Sequence, residues 1–76
     1  MIIHGKRNIE LKETINKISK KTYLFKTLNK YLKAYEIGNV IILNTNLIEY
    51  GAFNEYNIFI IKDIDKKNKT AILKGV

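Results

Sequence analysis

The segment KKTYLFKTLNKYLKAY, residues 20–35, decides between the fold classes open to this chain. It holds five lysines and three tyrosines and no acidic residue. Leu24, Leu28, Tyr31 and Tyr35 recur at the 3.6-residue period of an α-helix. This pattern predicts a helix that packs one face on a core and turns its lysines to solvent.

A second apolar stripe precedes this segment. Leu11, Ile15 and Ile18 also follow helix spacing, and Asn8 is a suitable N-cap. At about 100° per residue, the two stripes point in directions roughly 120° apart. We therefore expect either two helices or one kinked helix, with the break near Lys20–Tyr23.

The pattern changes to β-type after Gly38, which is a suitable helix stop. The runs NVIILN (39–44), YNIFIIK (56–62) and TAIL (70–73) are rich in β-branched residues and have strand length. Residues 65–69 predict a hairpin turn in which Asn68 takes a positive φ, and residues 47–50 predict a short extra strand.

These elements predict a single small α+β domain over residues 1–76. Its N-terminal helical segment, one kinked helix or two, packs on a three- to four-stranded antiparallel β-meander. The opening residues MIIH (1–4) predict a short edge strand that GKRN (5–8) breaks.

The second half also loosely resembles SH3-like barrels in IGNVIIL (37–43) and IIKDIDKKNKTAIL (60–73). The resemblance implies a small barrel as an alternative form of the sheet. The runs 40–43 and 58–61 are apolar on both faces, whereas a sheet with one wet face should alternate. Either the sheet curls into such a barrel or a partner covers its second face, and a homodimer is one such arrangement.

Composition sets broad limits. The chain has 76 residues, 46% of them hydrophobic, and no cysteine. It has no apolar run near the roughly 20 residues that a membrane span needs. We expect a cytoplasmic protein without disulfides, metal or cofactor, and no membrane partner.

Charge is the strongest functional signal. The net charge is +7, of which residues 1–38 contribute +6 and residues 39–76 contribute +1. Such asymmetry favours a surface for phosphates. The alternative is codon bias, because 14 Ile, 13 Lys and 9 Asn, all with A/T-rich codons, fill almost half the chain.

Catalytic chemistry has few candidate groups. Ser19 and His4 are the only serine and histidine, and neither lies in a nucleophile motif. No P-loop or dinucleotide fingerprint is present. A metal-free RNase would need His4 beside a second base such as Glu10 or Glu49. A non-enzymatic binding protein is the better expectation.

The first functional hypothesis is a small basic protein that contacts nucleic-acid phosphates through the predicted helix. Lys26, Lys30 and Lys33 repeat at helix spacing without an acid, and form a predicted ridge. The candidate nucleic-acid-binding residues are Lys6, Arg7, Lys20, Lys21, Tyr23, Lys26, Lys30 and Lys33. Tyr23 is a candidate for stacking on bases, whereas Tyr31 and Tyr35 are expected to pack on the sheet.

The competing hypothesis is a protein-binding module. It would be a small accessory or inhibitory protein of the kind that viruses and mobile elements encode. Tyr50, Phe53 and Tyr56 crowd the connection between two strands, and exposed aromatic side chains often anchor a protein partner. With the two-faced apolar strands, they predict a partner with an acidic surface or a free strand edge.

Overall fold

The computed structural model describes residues 1–44 and 56–76, which form a mostly β protein. A single four-residue helix, α1, interrupts the strands. In chain order the elements are β1 (Ile3–Asn8), β2 (Thr14–Ser19), β3 (Thr22–Lys26), α1 (Asn29–Leu32), β4 (Val40–Asn44), β5 (Tyr56–Asp65) and β6 (Thr70–Gly75).

All six strands join one mixed sheet in the order β1-β4-β5-β6-β3-β2. β1 runs parallel to β4, and every other pair in the sheet is antiparallel. The two strands that come first in the sequence, β1 and β2, therefore lie at opposite edges of the sheet.

The sheet is strongly curled. A flat six-stranded sheet would separate its edge strands by about 24 Å, since neighbouring strands lie roughly 4.8 Å apart. The six residue steps from Asn8 to Thr14 span at most about 20 Å even when fully extended. The Arg7 guanidinium carbon on β1 also lies 5.7 Å from the ring centre of Phe25, four strands away on β3. The edges therefore face each other across the core.

Alternate residues of the strands fill the concave side. Phe25, Ile41, Leu43, Ile61 and Leu73 are almost completely buried there. Ile15, Phe59 and Ala71 join them, and the segments before β2 and after β3 add Ile9, Leu32 and Tyr35. Period-two alternation on five strands thus forms one core.

The predicted N-terminal helices are wrong, and with them the α+β class. Of the first predicted stripe, Leu11 is 93% exposed and Ile18 is 55% exposed, so only Ile15 reaches the core. Segment 14–26 instead forms the β2–β3 hairpin, in which Ile15 pairs with Phe25. β-branched and aromatic side chains suit this hairpin, and spacing over so few residues fits a helix and a strand alike.

The predicted break near Lys20–Tyr23 falls on the tight turn between β2 and β3, at Lys20 and Lys21. Lys21 has a left-handed backbone with φ of 60°, a conformation that usually calls for Gly or Asn. The Gly75 N–H donates to the Lys21 carbonyl at 2.7 Å and joins the turn to β6. Because lysine stands where Gly or Asn would mark the turn, the sequence does not predict the hairpin.

The C-terminal strands lie where their sequences predict them, as β4, β5 and β6. They are nevertheless the middle of a six-stranded mixed sheet, and neither an isolated meander nor the small barrel alternative describes that arrangement. The predicted turn before β6 is present, with the positive φ at Lys69 rather than Asn68. Edge strand β1 spans Ile3–Asn8 and continues through Gly5, where the sequence predicts a break. The predicted strand 47–50 lies outside the described residues.

Candidate functional site

An ion pair joins the two edges of the curled sheet. Arg7 on β1 makes two hydrogen bonds to the carboxylate of Glu13, which directly precedes β2, with N–O distances of 2.6 and 2.7 Å. The guanidinium carbon also lies 3.5 Å from the ring centre of Tyr31. Its Nε atom donates to the Tyr35 hydroxyl at 3.2 Å. Planar, bidentate pairing of this kind is the geometry in which arginine binds a carboxylate most strongly.

The Glu13 carboxylate is completely buried. Besides Arg7, it accepts a hydrogen bond from the backbone N–H of Glu10 at 2.9 Å and one from the Thr27 hydroxyl. Burial alone would raise the pKa of Glu13, but these bonds outweigh it and hold that pKa below 4.5. Burial also opposes the charge of Arg7, yet its bonds to Glu13 and Tyr35 raise the Arg7 pKa. Both groups are therefore ionised at neutral pH.

Glu10 forms an outer layer of the same network. It accepts hydrogen bonds from the Tyr31 hydroxyl and from Lys30 Nζ, the latter at 3.0 Å. The bond from Tyr31, and then the bond from Lys30, lower the pKa of Glu10. The same bond raises the pKa of Tyr31. Two predicted phosphate contacts, Arg7 and Lys30, thus already hold carboxylates of this chain.

The two predicted packing tyrosines behave as expected. Tyr35 is buried in the core, and Tyr31 packs against it with its ring stacked on Tyr35 at 6.3 Å. Burial raises the pKa of Tyr35. The ring of His4 lies edge-on to Tyr35 at 4.9 Å, and its Nε2 is 3.0 Å from the side-chain oxygen of Asn39. His4 thus has structural partners on both sides.

The predicted lysine ridge is not on one helix. Lys26 ends β3, Lys30 lies in α1, and Lys33 caps the C-terminal end of α1. Because the helix is only four residues long, these three lysines do not repeat along one face. Lys6 lies on the opposite edge strand, β1, with Nζ 5.1 Å from the ring centre of Tyr56.

A different group of lysines lies on three adjacent strands of the sheet. The three adjacent strands β6, β3 and β2, with the turn between β2 and β3, contain no aspartate or glutamate. They carry five exposed lysines, which we call the basic surface: Lys17, Lys20, Lys21, Lys26 and Lys74. Three of the predicted phosphate contacts, Lys20, Lys21 and Lys26, belong to it.

Two of these lysines, Lys26 and Lys74, lie on the outer face, and Leu24 and Ile72 form the row between them. Lys17 pairs with Tyr23 on the opposite face. The register places Lys26 between Thr14 and Thr70, and Thr22 beside Lys74. Paired residues point to the same face of a sheet, so these residues share the outer face. Lysine, threonine and asparagine are among the side chains that contact nucleic-acid phosphates.

Tyr23 has a packing role. Its ring lies edge-on to Phe59 with centres 5.3 Å apart, and it packs against the core. It remains half-buried beside Lys17, its partner across the hairpin. The structure therefore gives its ring a partner within the protein and leaves part of it exposed next to Lys17.

The outer side of β1, β4 and β5 is different. Here the register places Ile3, Val40 and Ile60 in one row and Ile42 and Ile58 in the next. We call these five residues the aliphatic face. Tyr56 continues it along β5, while Tyr50 and Phe53, the other predicted aromatic anchors, lie outside the described residues.

The sequence pattern predicts no role for Lys17 or Lys74, and it marks the two-faced apolar runs of the aliphatic face without placing Ile3 beside them. A helix predicted for residues 14–35 does not allow β3 to pair with β6. That pairing is what places Lys74 beside the hairpin. The absence of acids from both segments was visible in the sequence and was the available signal.

No family model, curated protein or solved structure matches this chain. Within residues 1–44 and 56–76, no helix is long and apolar enough to cross a membrane. In the same ranges, no group of three or more His, Asp or Glu side chains is placed to hold a metal ion.

Proposed function

We propose that this protein is a small non-enzymatic protein that binds nucleic-acid phosphates through the basic surface. The observation that carries the proposal is the charge of β6, β3 and β2, which have five exposed lysines and no acid. Like charges on one surface repel one another, although the register pairs no two of these lysines directly. A polyanion bound across the surface would remove that repulsion.

The fate of the acidic residues supports this proposal. Glu13 and Glu10 hold Arg7 and Lys30, and Asp65 accepts two hydrogen bonds from Asn68 within the β5–β6 turn. The ion pairs found among the described residues are those two alone, and neither involves the basic surface. Its lysines are therefore available to an external anion.

The chemistry of the basic surface favours contacts to the phosphate backbone over base reading. Lysine binds phosphate as a point charge, whereas arginine gives the bidentate contacts that read guanine. The single arginine of the chain, Arg7, is held by Glu13. We therefore expect binding that falls steeply with salt and depends little on sequence, as for a cytoplasmic protein that associates with RNA or DNA.

The test is fluorescence anisotropy with labelled duplex DNA, single-stranded DNA and RNA between about 50 and 200 mM salt. A K20Q/K21Q/K26Q/K74Q variant should reduce the slope of log K against log salt by about three to four units on duplex DNA. The matched control, K12Q/K33Q/K66Q/K67Q, removes four exposed lysines from other elements, including Lys33 of the predicted ridge.

The two variants have the same net charge, so a general effect of charge would lower both slopes equally. Equal slopes would therefore contradict a defined binding surface. No binding of any of the three nucleic acids at 50 mM salt would refute the function, and the lysines would then serve solubility alone.

A further inference from the structure

The aliphatic face lies on the outside of the sheet. Its five residues alternate along β4 and β5 with the core residues Ile41, Leu43, Phe59 and Ile61. Ile3 is 67% exposed and Ile58 is 46% exposed, and Val40, Ile42 and Ile60 between them are half-buried. Contiguous apolar surface of this kind on a small protein marks an interaction site.

Lysines border this face at opposite corners. In the register, Lys74 on β6 extends the row of Ile3, Val40 and Ile60, and Lys6 on β1 extends the row of Ile42 and Ile58. Asp63 lies beyond Ile60, after the irregularity in β5, and its carboxylate accepts the backbone N–H of Ile64 at 2.9 Å. Cations therefore lie at two sides of the face.

We infer that the aliphatic face docks a protein partner whose contact surface carries aliphatic side chains flanked by aspartate or glutamate. Apolar burial would supply most of the affinity, and pairing of the acids with Lys6 and Lys74 would set the orientation. This inference concerns a different part of the sheet from the proposed nucleic-acid contacts, and the two surfaces share Lys74. Its main contacts, the five aliphatic residues, do not depend on the proposed function.

The same chemistry disfavours two other occupants. Nucleic acid stacks on aromatic rings, and these five residues are isoleucine and valine. A second copy of the chain would present the same apolar surface, but with the same two lysines, and both copies would carry +7. A protein partner with aliphatic and acidic side chains would bury the apolar surface and pair with the lysines at its border.

The experiment starts from a library of random 16-residue peptides displayed on phage, selected against the purified full chain. The strongest selected peptide is then synthesised with a fluorophore, and its Kd is measured by anisotropy. We expect selected sequences rich in aliphatic and acidic residues. Selection of basic peptides, or failure to enrich any peptide above the unselected library, would overturn the inference.

Two pairs of variants locate the binding surface. An I3T/I58T variant should weaken binding of the peptide about tenfold or more, since it removes apolar contacts from two opposite ends of the face. The control I18T/I37T makes the same change at two isoleucines that are 55% and 64% exposed elsewhere, and should leave the Kd unchanged. Equal effects of the two variants would overturn the site.

A K6E/K74E variant tests the charged border, with K12E/K66E as its control of equal charge. K6E/K74E should raise the Kd of the acidic peptide about tenfold, and K12E/K66E should raise it less than threefold. Any difference between these variants in nucleic-acid binding does not affect the test, because the measured quantity is the Kd of the peptide.

Two further measurements test whether a second copy of the chain or a membrane surface occupies the aliphatic face. Sedimentation that shows a dimer in the wild type and a monomer in I3T/I58T would assign the face to a second copy. Co-sedimentation with phosphatidylserine-containing vesicles, abolished by I3T/I58T, would assign it to a membrane surface. Either result would overturn the acidic protein partner.

Discussion

Replacing Glu13 with glutamine should remove a large part of the stability of this fold. The substitution keeps the shape of the side chain but places an amide N–H₂ group among donors: Arg7, the Thr27 hydroxyl and the Glu10 backbone N–H. Arg7 would lose its counter-charge while its side chain is only 17% exposed. Breaking one partner of such a buried pair costs about 3–5 kcal/mol.

That loss is large for a chain of 76 residues. At about 0.05–0.15 kcal/mol per residue, the whole domain is stable by roughly 4–11 kcal/mol. Because the ion pair joins the two edges of the sheet, its loss also removes a contact that holds β1 near β2. We therefore expect Glu13→Gln to shift the urea midpoint strongly and to bring the protein close to its unfolding limit at 25 °C.

A double-mutant cycle separates the ion pair from the rest of the network. In the Arg7→Met/Glu13→Gln variant the charge of Arg7 is absent, and the glutamine oxygen can still accept a bond from Thr27 or Glu10. We expect the double variant to be more stable than the sum of the single losses predicts, by about 2 kcal/mol. Lys30→Gln, which breaks an exposed pair with Glu10, should have a much smaller effect. Additive losses in the cycle, within about 0.5 kcal/mol, would refute the role of the ion pair.

Three further predictions concern stability. Burial raises the pKa of Glu13 but its hydrogen bonds outweigh that and keep it below 4.5, so the stability it contributes is present above about pH 4.5 and is lost as pH falls through the folded pKa. The urea midpoint should stay constant from about pH 5 to 8 and fall below pH 5. The fall should be less steep in Glu13→Gln, and an equally steep fall in that variant would contradict the prediction. Lys21→Gly should raise the Tm by a few degrees, because φ at Lys21 is 60° and the left-handed region penalises a side chain by about 1–2 kcal/mol. Lys20→Gly, at the neighbouring turn position, should lower the Tm, and a rise in both would show a general effect of glycine. Leu73→Ala should cost about 2–5 kcal/mol in urea unfolding, since Leu73 is 0% exposed, whereas Leu73→Met should cost less than about 1.5 kcal/mol.

The second half of the chain shows what local sequence can decide. β4, β5 and β6 follow from dense runs of isoleucine, valine and phenylalanine, and the polar residues 66–69 mark the turn between the last two strands. In these runs β-branched side chains and strand length agree, so propensity and packing favour the same structure. Apolar residues on both faces of β4 and β5 predict either a small barrel or a partner on the second face. The barrel is wrong, and the partner stays a prediction.

Residues 8–35 show where local sequence fails. Ile15 and Ile18 suggest helix spacing, but Ile18 lies at the register shift of β2, between Lys17 and Ser19, and is exposed to solvent. The hairpin that replaces the helix depends on a left-handed lysine, which no turn motif marks. Pairing of β3 with β6 joins residues about fifty positions apart and supplies the hydrogen bonds and the core contacts that a helix would otherwise provide.

The sequence by itself therefore determined the charge, the β-type C-terminal half and the packing of Tyr31 and Tyr35. Only the tertiary structure decided which charges remain available. The local sequence does not show that Arg7 and Lys30 are paired. The curled sheet places Arg7 against Glu13, and the α1 segment places Lys30 against Glu10. The tertiary structure also makes neighbours of β6, β3 and β2, three strands whose own sequences contain no acid. Which charges are neutralised therefore depends on which segments become neighbours as well as on composition.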